Sequence, residues 1–121
     1  MAWEFKNGIP IYLQIMEGIK TRIAGGLLPP GSKLPSVRDL AAQAGVNPNT
    51  MQRALAELER VDLVHSQRTA GRFVTEDVEM IRKIREELAQ QQLAQFLQAM
   101  AELGYNREEI VALVKRVEKE G

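Results

Sequence analysis

The chain has 121 residues, 45% hydrophobic and 26% charged, which is ordinary composition for a folded domain and too apolar for a disordered one. With no cysteine and one histidine, His65, it has neither a disulfide scaffold nor the ligands of a thiolate or imidazole metal site, so no metal or other cofactor is expected. Lys and Arg balance Asp and Glu at 16 each, but unevenly along the chain: nine against six from Met1 to Thr75, and seven against ten from Glu76 to Gly121. A mildly basic first half followed by an acidic second half suits a nucleic-acid-binding module joined to an appendage that does not bind nucleic acid. No stretch approaches the roughly 20 apolar residues of a membrane span, and the first residues hold Glu4 and no long apolar run, so the expected location is cytoplasmic, with no membrane partner.

The first periodic segment opens at Pro10 and sets Tyr12, Ile15, Met16, Ile19 and Ile23 on one stripe before Gly25-Gly26 ends it. Leu28-Pro29-Pro30-Gly31 forces a turn, and Lys33-Leu34 can form a short extended piece. Ser36-Val37-Arg38-Asp39 is then a capping-box-like start, with Asp in place of Glu, for a second helix running to about Ala44. Gly45 breaks that helix, Asn47 can cap the next with Pro48 at its first position, and Met51, Ala54, Leu55 and Leu58 give the third helix a buried face as far as Arg60.

Val64 to Gln67 and Arg72 to Thr75 read as short strands around a hairpin loop, Arg68-Thr69-Ala70-Gly71. A long helix is expected from Glu76 to about Leu103, closed by Gly104. Asn106 with an acid three residues on starts a fifth helix carrying Ile110, Leu113, Val114 and Val117 on one face. The expected fold is mainly α: a winged helix-turn-helix of three helices plus a small β-hairpin over residues 1–75, then a two-helix dimerisation tail over 76–121.

Two helices joined by a tight turn, the second followed by a hairpin, form a DNA-reading unit in which the first turn of the second helix enters the major groove. Asn47, Asn49, Thr50 and Arg53 occupy that turn. Asn can pair with adenine, Thr can touch a thymine methyl, and Arg can read guanine or hold a phosphate. Arg38 would face the DNA backbone, Lys33 would add charge beside it, Ser36 lies at the start of the same helix, and Arg68 and Arg72 in the hairpin could reach a phosphate or the minor groove.

The stretches Pro10-Ile11-Tyr12-Leu13-Gln14-Ile15, Leu34-Pro35-Ser36-Val37-Arg38-Asp39-Leu40-Ala41, Val46-Asn47-Pro48-Asn49-Thr50 and Gly71-Arg72-Phe73-Val74 together resemble the DNA-binding domain of GntR-family repressors, specifically the YtrA-like branch. That branch lacks the large effector-binding domain of other GntR proteins, and the short helical tail is similar. The resemblance implies DNA contacts at Arg38, at Asn47 to Arg53 and at the wing tip, Arg68 to Arg72. Two sites depart from the family pattern. The wing, usually Arg-Gly-x-Gly-Thr-Phe, reads Arg68-Thr69-Ala70-Gly71-Arg72-Phe73, losing a glycine where a left-handed turn residue is expected and gaining a charge. The exit from the third helix, usually Glu-Gly, reads Val61-Asp62.

Plainer roles compete for these residues. Asn47 can serve only as a cap, Arg53 can pair with Glu57, His65 suits a half-buried strand position, and Trp3 and Phe5 suit packing against the module. Arg38 has no carboxylate four positions on, which favours a partner outside the chain. In the tail, Ile81, Ile84, Leu88, Leu93, Phe96, Leu97, Met100, Leu103, Ile110, Leu113, Val114 and Val117 are too apolar to leave in water. They either fold back on the module or form an isologous homodimer interface, the reading that the resemblance supports. The five-residue step from Leu88 to Leu93 breaks a heptad, so a compact bundle is expected rather than a long coiled coil. The function read from the sequence is a DNA-binding transcription regulator, a repressor acting on a pseudo-palindromic operator in double-stranded DNA. A protein- or RNA-binding adaptor is the second class, opposed by the polar first turn of helix three. An enzyme is the poorest, because no nucleophile-base pair or phosphate loop is present. A small-molecule effector is not identified, and the seam between two tails is where so short a chain could hold one.

Overall fold

The computed structural model describes residues 3–120, which divide into two compact units on either side of Arg85 and Glu86. The first unit contains α1 (Ile11–Ala24), α2 (Val37–Ala44), α3 (Pro48–Arg60), β1 (Val64–Gln67), β2 (Gly71–Val74) and the opening turns of α4 (Val78–Glu102). Ile15, Ile19 and Ile23 recur every four residues, so α1 turns one stripe inward, while Met51, Ala54, Leu55 and Leu58 do the same from α3. Leu34, Leu40, Leu63, Val64 and Val74 close the core between them. Each of the fully buried Leu, Ile and Val side chains contributes about 1.5–3 kcal/mol relative to leaving it exposed. Trp3 and Phe5, stacked at 6.0 Å, pack against this core, and the Arg22 guanidinium lies 3.7 Å over the Trp3 ring.

β1 and β2 form an antiparallel hairpin in which Val64 faces Val74 and Gln67 faces Gly71. The extended piece at Lys33-Leu34 joins its edge through a bridge from Lys33 to Phe73, with the Leu34 amide donating to the Arg72 carbonyl at 2.8 Å. The two glycines missing from the family pattern, one at the exit of α3 and one in the wing, are replaced by residues with the left-handed backbone. Asp62 has φ 64° at the exit of α3 and Thr69 has φ 65° at the hairpin tip, so the left-handed residue expected to be missing is supplied by a threonine. That conformation costs an L-residue about 1–2 kcal/mol, less for Asp, whose short polar side chain tolerates it.

Thr75, buried, donates its amide to the Leu63 carbonyl at 2.9 Å and accepts from the Asp77 amide through Oγ1 at 3.1 Å; Asp77 Oδ1 in turn accepts from the Met80 amide. This chain of caps starts α4 at Val78 and places Ile81 in the core of the first unit, with Met80 and Ile84 packed against it. The two compact units thus divide inside α4 rather than after Thr75, and within the single chain Ile81 and Ile84 pack in the winged module.

The second unit holds the rest of α4 and α5 (Arg107–Glu120). Gly104, φ 86°, ends α4, and a reciprocal capping box starts α5: the Glu109 amide donates to Asn106 Oδ1 at 2.9 Å and the Asn106 amide to Glu109 Oε1 at 3.0 Å. Ile110 is 9% exposed within the single chain. Leu88, Leu97, Met100 and Leu113 are half-buried, and Leu93, Phe96, Leu103, Val114 and Val117 lie exposed. Among the described residues no helix is long and apolar enough to cross a membrane.

Candidate nucleic-acid interface

The turn between α2 and α3 is built by local chemistry. Ser36 Oγ accepts the Asp39 amide at 3.1 Å and starts α2. Gly45 in the left-handed conformation, φ 71°, ends α2 and lets the Val46 amide return to the Ala41 carbonyl at 3.0 Å. Asn47 Oδ1 then accepts the Asn49 amide at 2.7 Å, and Pro48 takes the first helical position. Asn47 thus spends its oxygen on the cap, the plainer of the two roles open to it. α3 leaves its outward face with Asn49, Gln52, Arg53 and Ala56, which recur at three- and four-residue spacing and are all exposed; Thr50 is half-buried beside them.

The two longer side chains of this stripe are held from opposite sides. The Arg53 guanidinium lies 3.7 Å over the ring of Tyr12 on α1, a cation–π contact of roughly 0.5–1 kcal/mol at an exposed site. It does not pair with Glu57, which instead holds Arg60 at 2.8 Å. On the other side, Gln52 Oε1 accepts from Arg72 Nη1 at 3.3 Å, and Arg72 Nε is bound to Glu59 Oε1 at 2.6 Å. The same Glu59 oxygen accepts from Ser66 Oγ of β1. Burial alone pushes the Glu59 carboxyl up, but the hydrogen bonds from Ser66 and Arg72 and the charges of Arg72 and His65 outweigh it and hold the group below its ordinary value.

Arg72 is the wing cation with partners in the chain: its side chain is 19% exposed and tied to α3 by an ion pair and a hydrogen bond, so it clasps the wing to the helix. Lys33, Arg38 and Arg68 are exposed and have no side-chain hydrogen bond or ion pair among the described residues, which leaves their charge available. The Lys33 stem lies across Gly71 of the wing, where a Cβ would come within 3.0 Å of its Cε. Asn49, Arg53 and Arg72 are gathered around one helix; Arg38 on α2 and Arg68 in the hairpin loop have no hydrogen bond or ion pair to that stripe. His65 is exposed on β1 and stacks on Phe73 at 6.0 Å. Sequence reading did not single out Gln52 within Asn47 to Arg53, and it gave Tyr12 and Glu59 no part in the site. Gln52 had a signal, its place three residues after Asn49 on the helical face; the partners of Tyr12 and Glu59 come from other elements and left none.

An exposed polar stripe on a capped second helix, joined by a tight turn to the first and flanked by a hairpin, defines a winged helix-turn-helix protein of the DNA-binding kind. Residues 11–74 match the bacterial regulatory proteins of the gntR family. The chain is 41% identical over 112 residues to an uncharacterised helix-turn-helix transcriptional regulator of Bacillus subtilis, YhcF, covering 93% of each chain. It is 40% identical over 72 residues to the B. subtilis transcriptional repressor YtrA, covering 60% of this chain and 55% of that one. Among solved structures it is similar to a GntR-family transcriptional regulator from Listeria monocytogenes, with a TM-score of 0.81, 42% identity, and 93% and 98% of the two chains covered. It is also similar to YtrA from Sulfolobus acidocaldarius, with a TM-score of 0.54, 30% identity, and 99% and 97% covered. A third similar structure is the DNA-binding domain of AraR in complex with operator ORX1, with a TM-score of 0.56, 29% identity, and 62% and 99% covered. The chain belongs to the GntR family; it is a helix-turn-helix transcription regulator and not an enzyme.

Proposed function

We propose that this regulator is a repressor of the YtrA-like branch that binds a pseudo-palindromic operator as a homodimer, each subunit placing α3 in a major groove. The observation that carries the reading is the α3 stripe: Asn49, Gln52 and Arg53 stand outward beside a capped helix start, two of them pinned by neighbouring elements before any ligand arrives. Side chains set in advance lose less freedom on binding. Lys33, Arg38 and Arg68 supply cations for phosphate, and the likeness to an operator-bound AraR domain supports this use of the fold.

The homodimer rests on the second unit. It is too small to bury Leu93, Phe96, Leu103, Val114 and Val117 by itself, and with Leu88, Leu97, Met100 and Leu113 these form the surface that a second copy would cover. Two subunits related by a twofold axis require two half-sites, with centres about 10 base pairs apart or a multiple of it.

Footprinting of the purified protein on the region upstream of its own gene, at two salt concentrations, tests the reading. A symmetric pair of protected half-sites that weakens as salt rises is expected, together with reduced transcription from that promoter in vitro. Affinity there no greater than for random duplex contradicts it.

A further inference from the structure

The two edges of the α3 stripe differ in what they leave free. Arg53 rests on an aromatic face, whereas Gln52 has one end of its amide occupied: Oε1 accepts from Arg72, and Nε2 has no hydrogen-bond partner among the described residues. A guanidinium only donates, so it can face the amide oxygen and never the NH2. Arg72 is itself anchored by Glu59 at 2.6 Å, and Glu59 is anchored by Ser66, so the arginine is held in place independently of Gln52. An unrestrained glutamine pairs with adenine by accepting from N6 while donating to N7. With one lone pair of its oxygen engaged and the amide turned towards the wing, the NH2 is the end that it presents to a base.

We propose that Arg72 is a positioning residue for Gln52 of the recognition helix, turning the amide so that its NH2 meets an acceptor on the major-groove edge, guanine N7 or O6 or thymine O4. The assignment rests on the operator-binding reading above. It gives the unusual wing arginine a job that a phosphate contact does not require: it selects which bases Gln52 accepts. Cytosine, whose N4 presents a donor at that edge, is the base most strongly excluded, and adenine loses its paired contact.

The test is enrichment of binding sites from a randomised duplex pool by the full-length protein and by three variants, with thermal melting of each recorded alongside. Wild type is expected to prefer guanine or thymine at one base pair in each half-site. Gln52→Ala should lose about tenfold of the discrimination at that pair and keep it elsewhere. Arg72→Ala should shift that one preference towards adenine, and Arg72→Lys, which retains a donor for Gln52 and a cation for Glu59, should restore the wild-type preference. An unchanged preference in Gln52→Ala, or an even loss across all sequences in a folded Arg72→Ala, overturns the assignment while leaving the operator reading intact. A wild-type pool with no enriched site overturns the operator reading, and this assignment with it.

Discussion

The winged module and the helical unit that follows it are built from the same kind of residues and end in opposite states. In the module, Ile15, Ile19, Met51, Leu55, Leu58, Leu63 and Val74 are shut away from solvent, and even the first turns of α4 are drawn in through Ile81. In the second unit Leu103 is 72% exposed, Leu93, Phe96 and Val117 are also open, and among the described residues only Ile110 is buried. A region that completes its own core can present a fixed polar surface to a ligand. One that leaves its apolar side chains outside has a packing need that another chain must meet. On the proposed reading, DNA reading and assembly fall to different residues.

The contrast can be broken most directly by truncating one side chain in each region. Leu55→Ala in the module is expected to cost about 2–5 kcal/mol in denaturant unfolding, because it empties a fully enclosed site, whereas Leu103→Ala should change the stability of the dissociated chain by no more than about 0.5 kcal/mol. Equal losses would mean that the second unit has a closed core of its own. A smaller effect sharpens the picture of the wing. Thr69 holds a left-handed φ of 65°, so Thr69→Gly should stabilise the module by up to about 1 kcal/mol, read as a raised melting temperature; an unchanged or lowered one would show that threonine fits that turn without strain.

The smallest effect concerns the clasp between wing and α3. Glu59 titrates below its ordinary value in the folded chain, so it binds fewer protons there than when unfolded. Its stabilising contribution is present above the unfolded carboxylate value, about 4.3, and disappears as pH falls through the lower folded value. Between pH 6 and pH 3 the wild type should therefore lose more stability than Glu59→Gln, followed by thermal melting; identical pH profiles would show that the carboxylate does not hold the wing in its ionised form.

Much of the fold was legible because the signals are local. Ser36, Gly45, Asn47 and the Asn106–Glu109 pair each cap a helix using atoms within a few residues, so sequence spacing is enough to identify them. The stripe of Ile15, Ile19 and Ile23 is equally local. Ile81 shows where this stops: its apolar spacing on α4 is the same whether it faces its own module or a partner, and only the tertiary packing decides. The Arg72 clasp was hidden for a related reason. A basic residue in a wing suits phosphate contact, but Glu59 lies 13 residues away on another element, and nothing in the sequence announces their meeting at 2.6 Å. The Arg53–Tyr12 contact joins α3 to α1 and was hidden in the same way. Thr69 and Asp62 depart from the glycine pattern and yet keep its backbone, which composition alone does not show.

The most direct test of the division between reading and assembly is the double variant Phe96→Glu with Leu103→Glu, compared with wild type by sedimentation and by anisotropy on a full operator and on a single half-site. Both side chains are exposed in the single chain, so the module should stay folded. The account predicts a monomer that keeps wild-type affinity for the half-site and loses the advantage of the full operator, on the order of 10²–10⁴-fold. A variant that remains a dimer, or a monomer that still prefers the full operator as strongly as wild type, would contradict it.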